Sequence, residues 1–204
     1  MAKIQTVDYA AIPNQAKQMR TYGKDLNTQM TNAYKSIADM HSSWYGKRYN
    51  ELVKQFNNMT SQINEMLQLV VTDIPSMLEK VANNYSQADQ GTNVTSVSNE
   101  APKKIQNISV SNDVGMRFIT NSVQQTQSRV SKNFTDAKSK MNQIDATYSK
   151  IKWSSEASDA FKNKFNKLKT NINKSFDDIN TQFKKLMQQA QDDVQKAESS
   201  NTVS

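Results

Sequence analysis

Apolar and small residues recur at alternating intervals of three and four along most of this chain. The first series runs Ile12, Ala16, Met19, Gly23, Leu26, Met30, Ala33, Ile37 and Met40. Such spacing is the seam of a long helix that buries one stripe, with small residues where a neighbour approaches closely. Asp8 stands where a cap for its first turn is expected, and Pro13 falls in the opening turns, where proline is tolerated.

A second series runs Tyr49, Leu52, Phe56, Met59, Ile63, Leu67, Val70, Ile74, Leu78, Val81 and Tyr85. Pro75 lies inside it and removes one backbone donor. Because the apolar spacing continues past the proline, a kinked helix is expected rather than a break capped by Thr72 or Asp73. Periodicity then vanishes from Ser86 to Val114, a polar stretch of roughly 30 residues, unusually long for a compact domain and therefore functional or mobile. Within it, KIQNISVS is the one candidate for an extended piece. The pattern resumes with Met116, Ile119, Val123, Val130, Phe134, Ala137, Met141, Ile144, Tyr148 and Ile151. A fourth series runs Phe161, Phe165, Leu168, Ile172, Phe176, Ile179, Phe183, Met187, Ala190 and Val194.

Four one-stripe helices predict an all-α fold: an elongated antiparallel four-helix bundle made of two helix–turn–helix hairpins. Helices of roughly 35–40 residues would make a rod of about 50–60 Å at 1.5 Å per residue. An offset of 109 residues places Trp44 on Trp153, the only other tryptophan. It also places Leu52 on Phe161, Phe56 on Phe165, Met59 on Leu168 and Ile63 on Ile172, and continues without a gap to Leu78 on Met187. The chain therefore reads as a duplicated hairpin: residues 1–89, a linker at 90–114, and residues 115–204, with both hairpins forming one bundle.

Composition narrows the function. The sequence has 4 Gly, 3 Pro and no Cys, which excludes a turn-rich β fold, disulfides and cysteine metal sites. His41 is the only histidine, and it reads as a polar turn residue rather than a metal ligand. No nucleophile–base arrangement and no phosphate-binding glycine loop is present, so neither an enzyme nor a cofactor is expected. The N-terminal stretch has no apolar core of a Sec signal, and no apolar run approaches a membrane span. Net charge is +7, and residues 91–204 hold 17 Lys/Arg against 11 Asp/Glu. Lys162, Lys164, Lys167 and Lys169 read as the solvated face of the last helix. Nucleic acid is not expected as a partner, because few aromatics lie outside the seams to stack on bases.

The stretch HSSWYGKRY joins the first two helices. A tryptophan, one residue and a glycine (Trp44, Tyr45, Gly46) between two long amphipathic helices resembles the WXG-type, or Esx early-secreted-antigen-like, proteins. These are helical hairpins exported by type VII secretion systems of Gram-positive and mycobacterial cells. The second half reads WSSEASDAF, keeping Trp153 but with Ser155 where the glycine would stand. The family's tail mark, Y-x-x-x-D/E, matches YSQAD, with Tyr85 and Asp89 at the end of the second series; the equivalent VQKAE has Val194 and Glu198. Family members pair as separate chains, so the resemblance implies a fused pair, a monomer with its hairpins paired internally.

The resemblance also implies recognition by a secretion ATPase that combines the tail of one partner with the tryptophan turn of the other. For this chain the implied signal is Tyr85, Asp89 and Trp153, with Trp44 facing the half that lost its tyrosine. The expected function is that of a secreted, non-Sec substrate or partner, leaving the cytoplasm and acting through protein contacts, with a secreted cargo protein as a further partner. Only ESSNTVS lies beyond the fourth seam, so no toxin domain is expected. The alternative is a membrane-active protein that binds anionic lipid surfaces through its basic second half.

Overall fold

A computed structural model describes residues 7–201, and the outer ends of the two assigned units, 1–6 and 202–204, lie outside the described residues. Helix α1 (Ile12–Asp39) leads through a 3₁₀ turn (Met40–Ser42) to a two-residue strand, β1 (Trp44–Tyr45). Helix α2 (Lys47–Gln68) returns, passes through a π turn (Leu69–Asp73) and continues as α3 (Ile74–Gln90). The chain then runs back in extended form to strand β2 (Arg117–Phe118), which pairs antiparallel with β1. Helices α4 (Thr120–Ser149) and α5 (Glu156–Ser200) form the second hairpin.

Because the extended return carries the chain to the Trp44 turn before α4 begins, the two hairpins point in opposite directions. At the far end, Gln15 Nε2 donates to the Lys150 carbonyl at 3.4 Å, bringing the α4–α5 turn beside the start of α1. Phe56, Phe134 and Phe176 knit α2, α4 and α5 together, with Phe134 and Phe176 stacked at 4.2 Å and 7°. This is the expected all-α hairpin bundle. Its longest helix, α5 at 45 residues, spans about 67 Å, more than the expected rod.

Every member of the α1 seam from Ile12 to Met40 is buried. Asp8 holds the turn ahead of α1, its Oδ1 and its carbonyl both accepting from the Ala11 N–H, although the N-cap itself is Ala11. Pro75 leaves the helix continuous, and the accommodation is a π turn. Ile74 N–H donates five residues back to Leu69, and the Val71 carbonyl, which Pro75 cannot reach, accepts from Arg20 Nε at 3.1 Å. Gly23 faces the same turn. A Cβ there would stand 2.8 Å from Val71 Cγ2, so only glycine lets the two helices approach this closely.

The extra residue of the π turn rotates the rest of the helix relative to the seam. Ala82 and Ser86 are therefore buried, while Val81 and Tyr85 are half-buried flank positions. Two further departures have local causes. Met116 and Ile119, expected on a seam, are 46% and 43% exposed and precede α4. Gly115, at φ 108°, turns the chain there, and the residues Arg117 and Phe118 are spent pairing with β1. Near the end of α5, Leu186 is buried and Met187 only half-buried.

Candidate functional site

The Trp44 turn is a sealed joint. Trp44 is 1% exposed; its ring meets Tyr49 and Phe118 edge-on and stacks on Phe183 of α5 at 6.0 Å. Strand β2 covers it, with Ile119 N–H donating to the Ser43 carbonyl at 2.9 Å and Arg117 Nη1 to the Ser42 carbonyl at 3.1 Å. Gly46 supplies the N-cap of α2 at φ 112°, a region other residues resist. A Cβ on Gly46 would also stand 3.2 Å from the Gly115 carbonyl oxygen. Arg48 Nε reaches Asp193 at 3.3 Å, so Trp44 and its neighbours lie against the closing turns of α5, where Val194 is half-buried and Glu198 exposed.

The second turn is built differently. Trp153 is half-buried, and Ser155 takes an extended backbone at φ −158°, which any residue adopts. Its Oγ accepts from Ser158 N–H at 3.1 Å, an N-cap for α5, and Glu156 and Asp159 sit favourably in the first turn. Tyr148 OH closes the turn by donating to the Ser158 carbonyl at 2.9 Å, and burial raises its phenol pKa. Serine thus does by side-chain capping what glycine does at the first turn by backbone conformation.

The tail residues lie at the Trp153 end. Tyr85 is half-buried on α3; Asp89 is exposed and accepts a hydrogen bond from Tyr9 OH, which also accepts from Gln90 Nε2 at 2.9 Å. The carboxylate's hydrogen bond raises the Tyr9 phenol above its ordinary value. Asp89 is therefore tied to the segment leading into α1. Among the described residues no ring contact or hydrogen bond joins Tyr85 to Trp153, although both belong to the same end of the bundle.

Residues 5–90 match the family described as proteins of 100 residues with WXG, WXG100. Residues 5–90 belong to the WXG100 family. The match covers the Trp44 turn and the YSQAD tail and ends where α3 ends. The match associates this first hairpin with type VII secretion. No curated protein and no solved structure matches the chain significantly.

The extended return beyond the WXG100 hairpin is tied down along its length. An asparagine column on α2 reads its backbone. Asn64 Oδ1 accepts from Ile105 N–H at 2.8 Å while its Nδ2 donates to the Ile105 carbonyl at 2.9 Å. Asn57 does the same with Ile108 and Asn50 with Ser111. Seven helical residues rise about 10.5 Å, and three extended residues span about 10 Å, so heptad asparagines meet every third residue of the strap. Ile105 and Ile108 turn inward, 5% and 8% exposed. Nearer α3, Asn83 holds Val94 and Thr95, and Thr72 Oγ1 donates to the Glu100 carbonyl at 2.6 Å.

A buried ion pair anchors the middle of the strap. Arg20 and Glu79, both nearly inaccessible, pair through two contacts of 2.8 and 3.2 Å. Glu79 Oε2 also accepts from Ser98 N–H at 2.8 Å, and Ser76 Oγ donates to the Ser98 carbonyl. At the strap's far end Asp113 accepts from Ser111 Oγ and pairs with His41, both of which hold its carboxyl below the ordinary value. The polar stretch is therefore a fitted strap, and His41 serves it rather than the turn alone. Its legible signals were the asparagines at 50, 57 and 64 and the three-residue spacing of the isoleucines. Lys164 and Lys169 also differ from a plain solvated face, since they pair with Glu65 of α2 and Asp145 of α4 at 3.0 and 2.8 Å.

Among the described residues no helix is long and apolar enough to cross a membrane, and no cluster suits a metal ion.

Proposed function

We propose that this chain is a substrate exported by a type VII system and that it acts by protein–protein contact as a single-chain pair of WXG100-like hairpins. The second hairpin takes the place that a separate partner chain fills elsewhere in the family. Joining the two replaces a bimolecular encounter with a high effective concentration. The export signal is Tyr85, Asp89 and Trp153, read by the secretion ATPase, and a secreted cargo is the further partner. The non-Sec route from the cytoplasm is part of that reading.

The observation that carries this proposal is the unequal access to the two tryptophans. Trp44 lies under β2 and Phe183 and offers a partner nothing, whereas Trp153 is half-buried at the end that also bears Tyr85 and Asp89. Exposed aromatic surface beside a carboxylate is what a docking protein can read without unfolding its client. The test compares culture medium and cell pellet in the source cell with and without its secretion ATPase. The reading expects the protein in the medium only when the ATPase is present. Export that continues without the ATPase, or wild-type protein confined to the cytosol, overturns it.

A further inference from the structure

A groove of about 620 Å³ runs between α1 and the strap, a volume within the range of small-molecule sites. The strap from Lys103 to Ser111 forms one wall. The other is a stripe of α1, where Thr31, Lys35 and Ala38 stand four and three residues apart on one helix face. The pair of His41 and Asp113 belongs to the same lining.

The apolar part of this lining is already built. Tyr34 and Tyr49 are 5% and 1% exposed, and Ile105 and Ile108 join them from the strap. Both phenols are spent inside the hairpin, Tyr34 OH donating to the Phe56 carbonyl at 2.7 Å and Tyr49 OH to the Ile37 carbonyl at 3.2 Å. These residues therefore offer the groove ring carbon rather than hydroxyl. The strap wall is fixed as well, because Asn50, Asn57 and Asn64 hold its backbone at Ser111, Ile108 and Ile105. Between those points, the N–H groups of Gln106, Asn107, Ser109 and Val110 make no hydrogen bond among the described residues.

The charge of the lining is one-sided. Lys35, Lys103 and Lys104 are exposed along it and make no ion pair among the described residues. Asp113 is the one acid in the lining, and Ser111 and His41 already engage it. A cleft lined by one sign of charge beside apolar walls concentrates the opposite sign.

We infer that this groove binds a small organic anion with an apolar body. Its carboxylate or phosphate would sit among Lys35, Lys103, Lys104 and the open strap amides, and its body on Tyr34, Tyr49 and the two isoleucines. A cation would be repelled, and an uncharged molecule would leave the three ammonium groups unmatched. Because the asparagines hold the strap in place beforehand, binding does not have to order that wall. The inference is independent of the export proposal, since it is read on the purified chain.

The test titrates the full, isotope-labelled chain with octanoate below its micelle concentration, at low salt, and follows backbone amide shifts. Saturable shifts are expected at Ala38 and along residues 105–111. 1-Octanol, with the same apolar body and no charge, is expected to bind several-fold more weakly. The Lys35→Gln/Lys103→Gln/Lys104→Gln variant should lose at least about fivefold in octanoate affinity, the scale of a few exposed charge pairs, and keep its octanol affinity. Ala38→Trp, at an exposed helix position, fills the groove and should abolish both, with an unchanged melting curve verifying the fold. Shifts that do not saturate, or binding undiminished in Ala38→Trp, overturn the site. Equal affinity for octanol, or octanoate binding unchanged in the lysine variant, overturns the anionic character of the ligand. A concentration-dependent dimer with the same shifts and no octanoate gives the groove to a second copy and overturns the assignment.

Discussion

The two tryptophan turns occupy equivalent places in the repeat and solve the same problem by different means. At Trp44 the backbone does the work: glycine at φ 112° starts α2, a strand from the far side of the strap pairs with the turn, and the indole is enclosed by three rings. At Trp153 a serine side chain caps α5, no strand arrives, and the indole keeps part of its surface. A tryptophan enclosed on every side contributes to stability and is closed to recognition. One left partly open contributes less to the core and can be touched. Sequence similarity between the halves thus conceals a difference in enclosure, which the presence of the residue alone does not reveal.

The sharpest way to break this comparison is to truncate each indole. Trp44→Ala is expected to cost about 3–5 kcal/mol, the range for a fully enclosed aromatic, while Trp153→Ala costs clearly less. Chemical denaturation of both variants checks this, and equal losses would erase the distinction. A loss of about 3–5 kcal/mol is also expected for Glu79→Ala, which leaves Arg20 buried and unpaired and releases Ser98. The uninterrupted α5 has no proline, and among the described residues no other ion pair is as buried, so this vulnerability belongs to the first hairpin.

Gly46→Ala meets a positive φ and the Gly115 carbonyl, and is expected to cost about 1–3 kcal/mol. Ser155→Ala loses only an N-cap, about 1 kcal/mol, and Ser155→Gly less still. Asn57→Ala is expected to cost about 1–2 kcal/mol through two lost strap bonds and to speed amide exchange at Ile108, whereas Asn166→Ala should leave stability nearly unchanged. Hydrogen exchange reads both.

The smallest effect concerns pH. Burial pushes the Tyr34 and Tyr49 phenols from 10.0 up to about 12. The folded state holds these protons more tightly than the unfolded chain, so their contribution is complete below pH 10 and is lost as pH rises towards 12. Alkaline melts should fall across that window and flatten in Tyr34→Phe.

Much of this architecture was legible in spacing alone. The α1 seam from Ile12 to Met40 is buried at every position, and Gly23 is small because Val70 and Val71 approach it. What spacing does not encode is a change of phase. The π turn at Leu69–Asp73 moved Tyr85 from an expected seam position to the flank, since a proline announces a lost donor but not how the helix absorbs it. Arg20 is not legible from spacing because a charged residue beside a seam ordinarily faces water; here an orphaned carbonyl, a glutamate and the strap supply its partners. The strap itself lacks the alternation of a strand because side chains of a helix, not a neighbouring strand, satisfy its backbone. Of the candidate site, the motif residues were readable, but their unequal enclosure depends on β2, which the third apolar series had absorbed into a helix.

Whether enclosure truly separates the two roles is tested most directly by the ratio of exported to cell-retained protein for Trp153→Ala in the source cell. The prediction is a folded protein, with near-parental melting, that stays inside. A variant that folds normally and reaches the medium at the wild-type level would contradict the account.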